Sequence, residues 1–391
     1  MKTSSPEDEC GWVRANDNVM RIALVVAGGV DPSGRERVIP ALLWLIERLA
    51  RRHTLHVFVL RYHREPCTYQ LLGAAVHDLG RAHGPAGLRS LLQARHLVRA
   101  LRIAGPFDVV HGYWAVPAGM LAGLAGRWLG IPTVVTFDSG ELVSLPQFGY
   151  GLQRGWRGRL AVATTAKLAT RLHVCSEYME RLAKAAGLDV DRIPLGVDVR
   201  RFQRPRETDP GPPWRLLHVA SLNRVKDQAT LLGALARIVE RVPDVHLDVV
   251  GEDTLGGLVQ AQAVALGLGR HVSFHGFQPT DRLQTFYQRA HLLVVSSRHE
   301  SAGVVVLEAA ASGLPAIGTA AGYIADWSPD GAYGVPAGNV AALADGIVIL
   351  LGDSARRARM AAEADRRARA QDADWTASAL EQLYRVVLQR A

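Results

Sequence analysis

Chemistry in this chain is concentrated in two loops that each follow a short apolar run. The first contains Ser297-Arg298-His299-Glu300-Ser301-Ala302-Gly303-Val304-Val305-Val306-Leu307-Glu308-Ala309-Ala310. Its pattern predicts Glu300 in a loop, a helix capped by Ser301 that begins near Ala302 or Gly303, and Glu308 about two turns inside that helix. On one continuous helix the two carboxylates would point about 80° apart, so a break between them is what lets both face one cleft. The free N–H groups of the first helical turn make an anion site suited to a pyrophosphate, with Gly303 and Val304 as donors. Gly313-Leu314-Pro315 stops the helix and starts the next strand. The second loop, Ser221-Leu222-Asn223-Arg224-Val225-Lys226-Asp227, also opens a helix. Arg224 offers a bidentate fork and Lys226 a point charge, the two ways a side chain stabilises a charged leaving group.

Three further segments end apolar runs. Gly28-Gly29-Val30-Asp31-Pro32-Ser33-Gly34-Arg35 permits close backbone approach to a ligand, or is a plain turn. It lacks the G-x-G-x-x-G spacing, so no nicotinamide or flavin fingerprint is present. His111, in Asp108-Val109-Val110-His111-Gly112-Tyr113-Trp114, sits where a cleft residue belongs, or is a satisfied core histidine. Asp138 and Glu141, in Thr136-Phe137-Asp138-Ser139-Gly140-Glu141, close the next strand. Other patterns carry less. Asp189-Val190-Asp191 and Asp372-Ala373-Asp374 fit a metal-binding D-x-D only by spacing, Gly303 stands where a zincin would need its second histidine, and no P-loop occurs. No metal or cofactor is expected.

These loops need a scaffold that presents strand ends. Apolar runs at 21–27, 55–60, 108–111, 133–137 and 171–175 alternate with helical periodicity, and 193–195 closes this half. The 199–214 stretch is proline-rich and polar, a linker. The alternation restarts with runs at 216–220, 246–251, 272–275, 291–296 and 315–317, and a helical, Ala- and Arg-rich stretch fills 353–391. The chain of 391 residues therefore reads as α/β, two doubly wound Rossmann-like domains facing a cleft. The expected divisions are a disordered polar tail at 1–18, an acceptor-side domain at 19–205, a ligand-binding domain at 206–375, and a C-terminal helix at 376–391 that packs back toward the first domain.

Taken together, the E-x7-E pair, the Ala-Ala-x-x-Gly-x-Pro that follows it and the Ser-Ser-Arg before it resemble glycosyltransferase family four, retaining enzymes of the GT-B fold. The resemblance spans nearly the whole chain after about residue 20. It implies that Glu300 contacts the donor sugar and that Glu308 holds the ribose of a UDP-, GDP- or ADP-linked sugar. It further implies that Lys226 meets the donor phosphates and that the backbone around Phe277 pairs with the base. Where the family carries an arginine this chain has Ser221, and Arg224 is the expected substitute. The Gly28-Gly29 loop is implied to face the donor diphosphate, His111 the reacting sugar, and Arg35, Asp138 and Glu141 the acceptor. The family more commonly shows His-Gly where Asp138 stands. The implied activity is metal-independent transfer of a hexose, with retention, to a hydroxyl acceptor such as a lipid-linked or glycan one in envelope or exopolysaccharide synthesis. A nucleotide-sugar-binding protein or an epimerase of the same fold is the alternative.

Charge adds a partner class. Residues 1–205 carry 27 Lys and Arg against 17 Asp and Glu, whereas residues 206–391 carry 18 against 20. Only the first half is basic. A basic amphipathic helix is expected at 88–103, with Leu91, Leu92, Leu97, Val98 and Leu101 on its apolar side, and 155–171 adds more cations. Such helices lie on anionic membrane surfaces, or cover a domain with a solvated arginine face, and no aromatic-basic platform points to nucleic acid. Cys10, Cys67 and Cys175 form no CxxC pair, and the acidic start has no basic n-region before an apolar core. The expected setting is the cytoplasm, with peripheral contact at the inner face of the membrane.

Overall fold

A computed structural model describes residues 19–60, 63, 65–81, 86–202 and 211–389, excluding the side chains of 86–90. The tail at 1–18 and residues 203–210 of the expected linker lie outside the described residues.

Among the described residues fourteen strands form two sheets. The first holds β1 (Arg21–Val26), β2 (Thr54–Val59), β3 (Cys67–Leu71), β4 (Ala74–Asp78), β5 (Val109–Tyr113), β6 (Thr133–Phe137), β7 (Arg171–Val174) and β8 (Asp191–Arg192). The second holds β9 (Trp214–Val219), β10 (Val245–Val250), β11 (Val272–Phe274), β12 (Leu292–Val295), β13 (Ala316–Thr319) and β14 (Ala332–Val335). The orders are β3-β4-β2-β1-β5-β6-β7-β8 and β11-β10-β9-β12-β13-β14. Strand order reverses between β1 and β5 and between β9 and β12, and ligands in such sheets bind outside the carboxyl ends at those points. Strands β5, β6, β12 and β13 are buried along their whole length, which is why they read as continuous apolar runs.

Several elements differ from the sequence reading. β3 and β4 form an antiparallel hairpin at the sheet edge that periodicity does not reveal. Its two-residue turn places Leu72 at φ 51° and Gly73 at φ 88°, the backbone of a type I′ turn without the usual Asn-Gly. No strand covers 193–195; the two-residue β8 pairs with β7 instead. β14 was likewise not expected. The C-terminal stretch is two helices, Ser354–Ala370 and Ala373–Gln389.

The second of those helices leaves the second domain. Ala377, Leu380, Leu383, Tyr384 and Val387 share a core with Ile22, Leu24, Leu42 and Val57 of the first. Arg52 Nη1 donates to Ser378 Oγ at 2.9 Å, and Arg48 pairs with Asp374 at 3.1 Å. Another apolar core spans both domains, joining Phe137, Val174 and Cys175 to Leu293, Val306 and Tyr323. The helix Ala86–Ala104 buries Leu97, Val98 and Leu101 against the first sheet, so that expected membrane-facing stripe is core, while Leu91 alone of it stays exposed. Among the described residues no helix is long and apolar enough to cross a membrane.

Candidate active site

The loop after β9 is built by Asn223, whose Oδ1 accepts from the backbone N–H groups of Val225 and Lys226 at 3.1 Å each. This tight turn, Arg224–Lys226, ends at Asp227, which caps the helix Gln228–Arg241 and accepts from Thr230 Oγ1 at 2.6 Å. Ser296, past the end of β12, donates through Oγ to the Lys226 carbonyl at 2.8 Å, fastening the two loops together. Lys226 Nζ therefore reaches across the switch point and donates to Glu300 Oε1 at 2.6 Å. Ser297 Oγ donates to the same oxygen at 2.6 Å. Burial pushes the Glu300 carboxyl up, but the Lys226 charge and hydrogen bond, with Ser297, hold it below its ordinary value.

The helix after Glu300 is Val304–Ala311, and its cap is Gly303 at φ 84°, not Ser301. A left-handed backbone there suits glycine, and it leaves the first-turn N–H groups without a side-chain acceptor. Ser301 is used differently. Its Oγ donates to Asp138 Oδ1 at 2.7 Å, and its carbonyl accepts from Ser176 Oγ, so the first domain grips it twice. Gly322 closes the back of this loop: a Cβ there would stand 2.4 Å from the Ala302 carbonyl oxygen.

Glu308 is buried in that helix and does not share partners with Glu300. Its Oε2 accepts from Tyr287 O–H at 2.6 Å, and burial raises its carboxyl to about 7. Arg224 is exposed and lines a separate pocket of about 310 Å³ with Phe148, Gln228 and Leu258, so the structure does not bring it beside Lys226 and Glu300. Phe277 is half exposed in the loop after β11.

On the first sheet, Asp138 Oδ1 also accepts from the Cys175 thiol at 2.9 Å and Oδ2 from Tyr113 O–H at 3.1 Å. Burial raises its carboxyl, only partly offset by those hydrogen bonds, and the nearby Glu300 charge raises it further. Glu141 accepts from the N–H groups of Ser139 at 2.7 Å and Ala115 at 3.1 Å, yet burial still lifts it to about 7. With Trp114, Tyr150, Leu152 and Arg154 it lines a pocket of about 380 Å³. Trp114 holds φ 69°, a strained backbone of the kind that clusters at ligand sites. Trp114, Tyr150 and Arg154 were not singled out from sequence; only Trp114, directly after a strand, carried a signal. Gly29, at φ 84°, packs under Ile39, and Arg35 reaches across the domains to Asp281 at 3.6 Å with both side chains exposed.

His111 does not reach the cleft. It is fully buried, with Nδ1 2.6 Å from Tyr384 Oη and Nε2 2.6 Å from Thr136 Oγ1. Burial, reinforced by His173, keeps its pKa far below the ordinary range, so it is a neutral core residue. His299, unexpected, spans the domains between the Ser139 carbonyl at 3.1 Å and Tyr178 Oη at 3.3 Å. The D-x-D aspartates pair elsewhere, Asp191 with Arg171 and Asp374 with Arg48. Among the described residues one group has metal-ligand composition, His63, Cys67 and Asp78 within 4.8 Å of one another, and it lies at the hairpin edge of the first sheet.

Comparison with known proteins agrees with the fold. Residues 199–367 match the family described as Glycosyl transferases group 1, and residues 42–201 match Glycosyltransferase Family 4. A D-inositol 3-phosphate glycosyltransferase of Xylanimonas cellulosilytica is 31% identical over 308 residues, covering 73% of each chain. Sucrose-phosphate synthase of Thermosynechococcus elongatus superposes with a TM-score of 0.78 at 20% identity, covering 95% of this chain and 100% of that one. HepE of Anabaena, solved with UDP and glucose, gives a TM-score of 0.71 at 18% identity over 93% and 99% of the two chains. Two Rossmann-like domains facing a cleft are thus the GT-B fold. The chain belongs to the group 1, family 4 glycosyltransferases.

Proposed function

We propose that the enzyme moves a hexose, with retention and without a metal, from a nucleoside diphosphate sugar to a hydroxyl of a lipid-linked glycan acceptor. The observation that carries this reading is the Lys226–Glu300 pair, set at the switch point of the second sheet beside an uncapped helix N-terminus. A diphosphate placed there meets one ammonium and the N–H groups of Gly303 and Val304. Glu300 turns its other oxygen to the sugar hydroxyls. Glu308 uses the oxygen not taken by Tyr287 for the ribose. UDP is the preferred nucleotide, supported by the UDP in HepE. Phe277 lies at the base end of the donor, with the Gly28-Gly29 loop over the diphosphate. Arg224 and His111 have no part in the chemistry.

As the bond from the anomeric carbon to the leaving phosphate breaks, positive charge grows on the sugar and negative charge on the diphosphate. Lys226 and the helix N-terminus stabilise the latter. The acceptor oxygen enters on the same face, and its proton passes to the leaving phosphate. The pocket lined by Trp114, Glu141 and Tyr150 positions that acceptor, while Asp138 holds the Glu300 loop through Ser301 and Arg35 closes toward Asp281. Incubation with UDP-, GDP- and ADP-sugars, read by NMR of the product anomer, tests the reading. Inverted configuration would overturn retention. Donor binding with neither transfer nor hydrolysis would favour a binding protein of the same fold.

A further inference from the structure

Three helices, Ala86–Ala104, Met120–Leu129 and Trp156–Leu168, pack side by side over one face of the first sheet. None of their residues is acidic, in a chain that carries 37 Asp and Glu. Outward they present Arg95, Arg99, Arg102, Arg127, Arg157 and Arg159, all exposed. Where these make hydrogen bonds, the acceptors are backbone carbonyls: Arg127 to Lys167 and Arg159 to Gln153.

Large apolar side chains stand among these cations. Trp156 is 64% and Leu160 58% exposed, one turn apart on one helix, and Leu124 is 42% and Trp128 69% exposed, one turn apart on its neighbour. The Arg157 guanidinium lies 5.3 Å from the Trp156 ring centroid. Single exposed apolar residues are ordinary on any surface. Two i, i+4 pairs on adjacent helices, each with a tryptophan and set in a field of arginines, are a patch. Tryptophan and arginine are the side chains that settle at a bilayer interface, the ring in the headgroup layer and the guanidinium at the phosphates.

We propose that this three-helix face docks on an anionic phospholipid bilayer, with Leu124, Trp128, Trp156 and Leu160 entering the headgroup layer and the arginines meeting lipid phosphates. The apolar stripe expected from sequence, on the first of the three helices, is buried or half-buried except for Leu91; that helix also exposes Ile103, and both tryptophans come from its two neighbours. Leu152 and Arg154, just ahead of Trp156, line the acceptor pocket, so a docked enzyme holds that pocket close to the membrane. The proposal rests on the lipid-linked acceptor for its purpose, and on the helices alone for its physics.

Flotation of the full-length protein tests it, with vesicles of phosphatidylcholine alone and of equal parts phosphatidylcholine and phosphatidylglycerol, at low and high salt. Recovery on the anionic vesicles is expected to exceed that on neutral ones by about tenfold or more, and to fall several-fold at high salt. Trp128→Ser combined with Trp156→Ser should lower recovery by about tenfold or more while transfer to a water-soluble acceptor is unchanged. Equal recovery on both vesicles, undiminished recovery of the double variant, or retention on heparin without flotation would each overturn the proposal. Glu300→Gln should float like the wild type. Transfer without flotation would leave the transferase reading standing and remove the docking face; flotation without transfer to any acceptor would do the reverse.

Discussion

The two sides of the cleft are built differently. On the second sheet the site groups find their partners within their own domain: Lys226 and Ser297 on Glu300, Tyr287 on Glu308. On the first sheet Glu141 is held by backbone N–H groups, Trp114 is strained, and Asp138 completes its shell with Ser301 from the other domain. On the proposed function, a donor side whose two carboxylates are paired within their own domain can bind before the domains meet, although the Glu300 loop is also tied to the first domain through Ser301. An acceptor half that borrows a partner is finished only on closure. The proposed function then predicts an order of events: donor first, then closure, then a formed acceptor site.

The largest effect that would break this comparison lies on the self-contained side. Glu300→Gln should lower kcat by about a hundredfold or more, and Lys226→Ala should do likewise. The double variant should be little worse than the poorer single one, because the two act as a unit. Additive losses in steady-state assays would show that the pair is not one device. Next comes Glu308. Its carboxyl is raised from 4.5 to about 7, so the folded enzyme holds an extra proton across that window and stability falls as pH climbs through it. Glu308→Gln should remove this slope, making the variant more stable than the wild type above pH 7 by on the order of 3 kcal/mol. Denaturant melts at several pH values read the difference directly; parallel pH curves would mean Glu308 is not the group responsible. On the borrowed side, Trp114→Ala should raise the acceptor KM by about tenfold with donor hydrolysis unchanged, a split that a merely structural tryptophan would not give. The smallest effect is outside the cleft. Tyr384→Phe leaves His111 Nδ1 buried without its partner and should cost about 1–3 kcal/mol of stability with kcat unaltered. A large fall in kcat with stability intact would return His111 to the chemistry.

Much of this is legible in the sequence. The central strands were found because burial on both faces makes them uninterrupted apolar runs, and the Glu300 loop because a strand must feed it. What failed shares one cause: sequence places a residue along an element but not on a face of it. His111 was correctly put in a strand, yet it points into the core between Tyr384 and Thr136. Arg224 was correctly put in the turn with Lys226, yet faces another pocket. The hairpin of β3 and β4 was hidden by a polar, partly exposed edge strand and a Leu72-Gly73 turn. The break between the last two helices falls at Gln371-Asp372, where neither glycine nor proline marks it; Asp372 Oδ1 accepts from Trp375 N at 2.9 Å and restarts the helix. Ser301 was read as a local cap because local bonds are what spacing encodes, and its true acceptor is 163 residues away.

The helix Ala373–Gln389 completes the core of the first domain although the second sheet is made before it. On the ribosome, the sheet from β1 to β8 emerges long before Leu380, Tyr384 and Val387 are polymerised. Until then Ile22, Leu24 and Leu42 lack their cover, and a ribosome-bound fragment ending before residue 373 should be open to chaperones and proteases. The second sheet is synthesised inside this waiting period. The first domain therefore closes only after the second has been made, and the two halves made as separate polypeptides would need this helix supplied in trans to the first.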